Sequence, residues 1–191
     1  MSGVNLKNSL TKKNLILDLD NTLISAIGLD EIKWDKQDKK KALNFDTTNM
    51  KDYYVIFHRP HLQRFLNYIF KKYNVSIWSA GSKDYVLFIV KNIILKNHPE
   101  RKIDYIFFSY HCKLSRKYFD RKSPKNLKLL WDIFKLKNYN KNNTMIIDDL
   151  EEVHKAQPKN CIKIEDFTFT NDKSEDDKDL LRVVKLLKEK F

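Results

Sequence analysis

The chain has 191 residues and a formal charge of +12 from 37 Lys+Arg against 25 Asp+Glu. Its three glycines, Gly3, Gly28 and Gly81, are too few and too scattered for a Gly-rich dinucleotide turn or a P-loop, so any phosphate must be held by side chains, isolated turns or helix ends. Hydrophobic residues make up 42%, enough for a core, but no apolar run approaches the roughly 20 residues of a membrane span.

The N-terminus lacks a signal-peptide apolar region. Two cysteines, Cys112 and Cys161, cannot build a disulfide framework or a four-thiolate zinc site. The expectation is one soluble, reduced, monomeric domain over residues 1–191, nuclear or cytoplasmic rather than secreted, with no membrane contact. The charge implies acidic partners or substrates, or compositional drift towards lysine. Nucleic acid is one candidate partner, although no basic–aromatic stripe singles it out.

Short apolar runs alternate with helical periodicity, which predicts an α/β fold on a central parallel sheet flanked by helices. The first strand is Leu15-Ile16-Leu17, running into Asp18. Residues 24–58 lack helical spacing. A polar stretch from Lys33 to Lys41 leads to Tyr53-Tyr54-Val55-Ile56-Phe57, and the segment reads as a β-hairpin-type insertion after the first strand. Pro60 takes the first position of a helix, and Leu62, Phe65, Leu66, Ile69 and Phe70 follow at amphipathic spacing. Val75–Trp78 is a strand. Val86, Ile89, Val90, Ile93 and Ile94 repeat the helical pattern, which must stop before Pro99. Tyr105–Phe108 is a strand. Ser123-Pro124 opens a helix presenting Leu127, Leu130, Trp131 and Phe134. Met145–Ile147 is a buried strand ending on Asp148-Asp149, and Cys161–Ile164 is the last strand. Ser174, with Asp177 three residues on, resembles an N-cap for a closing helix that buries Leu180, Val183, Val184 and Leu187.

Three polar groups fall at the carboxyl ends of predicted strands: Asp18 with Asp20, Ser79, and Asp148 with Asp149. In open parallel sheets, ligands bind at that edge. Alternation puts Asp18 and Asp20 on one side, where close carboxylates favour a cation or a shared proton. Magnesium takes such ligands and bridges to phosphate; an Asx-type turn with solvated carboxylates is the plain alternative. Asp148-Asp149, after a buried strand, again favours a metal, whereas a helix N-terminus would accommodate the pair without one. Ser79 offers a phosphate oxygen its hydroxyl and nearby N–H groups, or simply caps the next helix. Lys125 lies in the first turn of the Pro124 helix, an unfavourable place for a cation. A bound anion would offset it; plain solvation is the alternative. Arg59-Pro60 breaks the geometry that His58 and His61 would need as a metal pair. Cys112 beside His111 reads as a buried thiol.

DLDNTLI (18–24), HRP (58–60), VSIWSAGS (75–82), SPKNLKLLW (123–131) and MIIDDL (145–150) stand in order along the chain. Together they resemble the haloacid dehalogenase (HAD) superfamily, with its Rossmann-like fold. More closely they resemble its small CTD phosphatase, or NLI-interacting-factor-like, branch, which acts on the C-terminal domain (CTD) of RNA polymerase II. YYVIFHRPHLQRFL (53–66) is similar to that branch's exit from the insertion. The tail from Pro158 to Leu187 is similar to that of the ubiquitin-like-domain-containing CTD phosphatases. The likeness spans about residues 14–190; the thirteen residues before the first strand are too few for a ubiquitin-like domain, so none is expected.

The resemblance implies that Asp18 is the nucleophile that forms an aspartyl-phosphate, and that Asp20 protonates the leaving oxygen and then activates water. Magnesium (Mg2+) would be held by Asp18, the Asp20 backbone carbonyl and Asp149, with Asp148 supporting the site and orienting Lys125. Ser79 and Lys125 would bind phosphate oxygens, and Thr22 joins that set as a brace of the loop. Ser79 replaces the branch's common threonine. Ser109 stands where an arginine is frequent, leaving Arg116 and Arg121 to replace it. Between residues 111 and 128, seven Lys/Arg against one Asp read as a basic loop rimming the site. It would attract a phosphorylated peptide, or be plainly solvated. Trp34, Phe45, Tyr53 and Tyr54 are candidates for a peptide pocket, with core packing expected for at least two of them. The resulting reading is a magnesium-dependent protein serine/threonine phosphatase, a phosphoric monoester hydrolase, acting on CTD-like phosphopeptides. A nucleic-acid 3′-phosphatase and a non-catalytic scaffold of the same fold are the alternatives.

Overall fold

The computed structural model describes residues 12–31 and 34–191. In chain order the elements are β1 (Asn14–Leu17), β2 (Ile24–Gly28), α1 (Lys36–Ala42), β3 (Thr47–Met50), β4 (Tyr54–His58), α2 (Leu62–Lys72), β5 (Asn74–Trp78), α3 (Lys83–Ile89), β6 (Ile103–Phe107), α4 (Ser109–Tyr118), β7 (Thr144–Asp148), α5 (Glu151–Ala156), β8 (Cys161–Lys163) and α6 (Asp179–Lys190). Five strands form a parallel sheet in the order β6-β5-β1-β7-β8.

Leu15, Ile16 and Leu17 are all buried because helices cover both faces of β1. Leu15 and Leu17 point towards one core with Phe65 and Ile69 of α2, Val86 of α3 and Val183 of α6. Ile16 points into the other, with Cys112 of α4, Leu129, Leu130 and Val153 of α5. The parallel arrangement brings the carboxyl ends of β1, β5 and β7 side by side, so Asp18, Ser79 and Asp148 meet at one edge.

The insertion is a three-stranded antiparallel sheet, β2-β4-β3, rather than a simple hairpin. It also holds a helix, contrary to expectation. No residue of α1 is buried, so α1 has no apolar period to detect; the Asp35 carboxylate accepts the Asp38 N–H at 2.8 Å, and Lys39 to Lys41 close its last turn. A third cluster, Phe57, Phe167 and Phe169, fastens the insertion to the tail.

Other expectations are corrected. Pro60 does not begin α2; His61 adopts φ 66°, left-handed, and the helix starts at Leu62. The helix through Val86 begins at Lys83 under the Ser82 hydroxyl and ends as a π-helical turn, Val90–Ile94. The expected basic loop begins within α4, whose Cys112 and Ser115, three apart, are buried while its cations are exposed. Only Leu129–Ile133 of the helix expected from Pro124 is helical. The Asn126 N–H goes to Ser115 Oγ and the Leu127 N–H to Gln157 Oε1, both at 2.9 Å, so Lys125 sits in a turn. Ser174 does not cap α6; its hydroxyl donates to the Phe169 carbonyl within a short 3-10 turn, Ser174–Asp176. β6 is set back to Ile103–Phe107 and β8 stops at Lys163. Among the described residues, no helix is long and apolar enough to cross a membrane.

Candidate active site

Asp18 leaves the end of β1 with its N–H on the Ile147 carbonyl at 3.0 Å, which fixes its height above the sheet. The next residues turn tightly. The N–H groups of Thr22, Leu23 and Ile24 all reach the Leu19 carbonyl, and Asn21 takes φ 59°, a left-handed conformation that asparagine tolerates. This turn returns Asp20 to the mouth of the sheet.

Lys125 is 1% exposed, and its ammonium lies 2.7 Å from Asp18 Oδ1 and 2.7 Å from Asp148 Oδ2. Gln157 holds that segment by both ends of its amide, donating to the Lys125 carbonyl at 2.8 Å while accepting from Leu127. Burial by itself would lower the Lys125 pKa, but Asp18 and Asp148 outweigh it and raise it, so the group stays an ammonium. The helix-dipole argument for Lys125 does not apply, since two carboxylates are its partners.

The carboxylates are under the opposite strain. Burial pushes Asp18 up to about 7, with Lys125 pulling it down and Asp148 pushing it up. Burial and then Asp18 raise Asp149 to about 6, against the Thr22 hydroxyl, which donates to Asp149 Oδ1 at 3.0 Å. Thr22 is fully buried. Thr22, placed by its sequence among the phosphate-binding residues as a brace of the loop, has its hydroxyl on Asp149.

Asp18, Asp148 and Asp149 can each bring one carboxylate oxygen within 4.8 Å of the others. Their uncommitted oxygens differ. Asp148 gives Oδ2 to Lys125 and Oδ1 to the Leu150 N–H at 3.0 Å. Asp18 Oδ2 and Asp149 Oδ2 take no hydrogen bond from the described residues. The Asp20 carboxyl stands outside this trio, bound by the Tyr85 hydroxyl at Oδ1 and by Ser79 Oγ at Oδ2, 3.4 Å. Burial raises its pKa, partly countered by the Tyr85 bond. Four carboxyl groups thus face one buried ammonium, and this donor set fits a hard divalent cation.

Ser79, fully buried, accepts the Gly81 N–H at 2.9 Å. Gly81 is the glycine that this corner requires. A Cβ there would lie 2.6 Å from Tyr85 Cδ1 and 3.2 Å from Ser79 Oγ. Tyr85 was missed in the sequence because it precedes the apolar period of its helix. Burial and then Asp20 raise its pKa, so it remains a phenol and a donor.

Arg59 was also missed as more than part of a motif. It is 1% exposed and grips Asp177 with two bonds of 2.9 and 2.8 Å. It also donates to the Thr22 carbonyl at 3.0 Å and the Glu165 carbonyl at 2.8 Å. The turn after β1, the insertion exit and the tail are therefore laced by one guanidinium.

Of the four insertion aromatics, Trp34 and Phe45 pack edge-on against Phe57 and Phe169. Tyr53 and Tyr54 instead line a cavity of about 560 Å³ that also touches Asp20, Met50 and Tyr85. Cys112 and Cys161 are free and buried; the Cys112 thiol lies 3.7 Å from the Ser79 carbonyl. His58 meets Thr48, with no metal cluster around it among the described residues.

Residues 13–191 match the family model of NLI interacting factor-like phosphatases. The CTD phosphatase-like protein 355R of Invertebrate iridescent virus 6 is 47% identical over 176 residues, covering 92% of this chain and 97% of that protein. Its counterpart in Invertebrate iridescent virus 3 is 44% identical over 180 residues, covering 92% and 95%. Among solved structures, Fcp1, described as an essential RNA polymerase II CTD phosphatase, matches with a TM-score of 0.57 at 21% identity. That match covers 92% of this chain and 49% of the Fcp1 chain, and it establishes a shared fold.

Proposed function

The chain belongs to the NLI interacting factor-like phosphatase family, and from that membership we propose that it is a magnesium-dependent protein serine/threonine phosphatase working through a phosphoaspartate on Asp18. One observation carries the reading. Asp18 has one oxygen pinned by Lys125 and the other uncommitted, beside a second carboxyl, Asp20, held by its own donors.

In the first step Asp18 Oδ2 attacks phosphorus, and the bond to the seryl or threonyl oxygen breaks as Asp20 gives that oxygen a proton. In the second, Asp20 takes a proton from water, the water oxygen bonds to phosphorus, and the Asp18–phosphorus bond breaks to release inorganic phosphate. Phosphoryl transfer needs positioning and charge neutralisation above all. Lys125 and Ser79 supply both to the phosphate oxygens. The tie from Tyr85 engages Asp20 Oδ1, and Oδ2, reached by the Ser79 hydroxyl at 3.4 Å, would carry the transferred proton.

Asp149 would hold magnesium through its uncommitted oxygen, Asp18 through the carboxylate oxygen not used for attack, and Asp20 through its backbone carbonyl. Asp148, with both oxygens engaged, supports the site and orients Lys125. The ion would offset the excess of carboxylates and the charge of the transferring group.

The leading substrate is a phosphopeptide like the polymerase tail. The tyrosine-lined cavity beside Asp20 suits an extended peptide bearing apolar side chains. The test is hydrolysis of p-nitrophenyl phosphate and a phosphoserine peptide with magnesium. Wild-type turnover no higher than that of Asp18→Asn on either substrate overturns the enzyme reading. Faster turnover of a 3′-phosphorylated oligonucleotide overturns the choice of peptide.

A further inference from the structure

A cleft of about 850 Å³ lies between the C-terminal part of α4 with its following loop and the helix α5. Its wall includes Pro124 and Leu150, the immediate neighbours of Lys125 and Asp149, so it adjoins the catalytic centre. Arg116, Arg121, Lys122 and Lys155 line it, against Asp120 and Glu152. Asp120 is already engaged by the Lys122 N–H at 3.0 Å. Among the lining cations, Lys155 pairs with Glu151 at 3.7 Å, and the others lack a carboxylate partner among the described residues. Lys113, Arg116, Lys117, Arg121, Lys122 and Lys128 are all exposed, and none pairs with a carboxylate among the described residues. The wall also contains Ser123, 3% exposed, whose hydroxyl has no hydrogen-bond partner.

We propose that this cleft is a second anion subsite, which takes an additional phosphate of a multiply phosphorylated peptide while the first phosphate occupies the catalytic centre. The proposal rests on the phosphopeptide reading above and narrows it to a substrate class. Unpaired cations beside a concave wall concentrate anionic ligands, and Arg116 and Arg121 offer fork-shaped donors suited to phosphate. The lining favours one discrete anion over a nucleic-acid strand. It has no aromatic ring on which a base would stack, and Glu152 would repel a continuous phosphate backbone.

The test measures binding of fluorescent peptides to Asp18→Asn by anisotropy, so that it does not depend on turnover. Peptides carry one phosphoserine, or two at separations of two to five residues. At low salt the best doubly phosphorylated peptide should bind about tenfold more tightly than its singly phosphorylated parent, an advantage built from several exposed ion pairs and reduced by salt. The advantage should vanish when Arg121→Glu and Lys122→Glu are added, and persist with Lys122→Arg. An advantage below about twofold at every spacing, or one that survives charge reversal, overturns the subsite. Wild-type protein that hydrolyses neither peptide overturns the phosphatase reading instead, while the binding ratio still decides the cleft.

Discussion

Replacing Tyr85 by phenylalanine tests the proposed acid–base role of Asp20. The substitution keeps the ring that packs edge-on against Tyr54 at 5.3 Å and removes one hydroxyl. What is lost is the hydrogen bond to Asp20 Oδ1; Ser79, at 3.4 Å, is the donor that remains. A hydrogen bond to a charged group is worth about 1.5–3 kcal/mol, and each 1.36 kcal/mol is tenfold in rate. Turnover of a phosphoserine peptide should therefore fall about ten- to a hundredfold in kcat/KM. Its leaving group is an alkoxide that needs the proton Asp20 would deliver in the proposed mechanism. p-Nitrophenolate leaves without protonation, so p-nitrophenyl phosphate should lose less than about threefold. The ratio of the two losses is the measurement, and it is insensitive to the fraction of folded enzyme. Equal losses on both substrates, or none on either, would refute the reasoning that Tyr85 acts through the acid.

Gly81→Ala should mimic that pattern more weakly, because its Cβ meets Tyr85 Cδ1 at 2.6 Å and displaces the ring; the same two-substrate ratio checks it. Lys125→Met leaves Asp18 and Asp148 facing each other while buried, so urea unfolding should show a loss of about 3–5 kcal/mol, with activity abolished. An unchanged midpoint would mean that the carboxylates do not depend on the ammonium. Arg59→Met should cost about 3 kcal/mol or more by stranding Asp177 and two carbonyls. A cycle with Asp177→Ala should give a coupling of about 1 kcal/mol or more, and additive losses would argue against the clasp. Magnesium at about a hundredfold above its Kd should raise Tm by about 5–10 °C. Calorimetry on Asp149→Asn should show a much smaller rise, and a full-sized one would exclude Asp149 as a ligand.

The parts of the fold legible in the sequence are those where burial leaves a periodic trace. Leu15 to Leu17 and Met145 to Ile147 read as strands because both faces are covered. Phe65, Leu66 and Ile69 read as a helix because one face is. Asp18, Ser79 and Asp148 were placed at one edge by following strands to their ends. The missed features lack such a trace. α1 is polar at every position but Ala42. The turn at Lys125 exists because Ser115 and Gln157, ten residues before and 32 after, take the N–H groups that a helix would use. The partners of Arg59 and Tyr85 are set by tertiary contact, so neither residue's neighbours in sequence reveal that its polar end is committed to a carboxylate.

The lacing by Arg59 limits how the molecule can be taken apart and recombined. The insertion looks modular, since it leaves and re-enters the parallel sheet between β1 and α2. Its inner face, however, is completed by Phe167 and Phe169, with Phe57 and Phe169 stacked at 3.9 Å. Its exit is locked by Asp177, 118 residues beyond Arg59. A chimera that imports a relative's insertion alone would inherit half of an aromatic cluster and half of a buried ion pair. Functional exchange of the insertion therefore demands transfer of two distant segments together, 24–59 and 165–179.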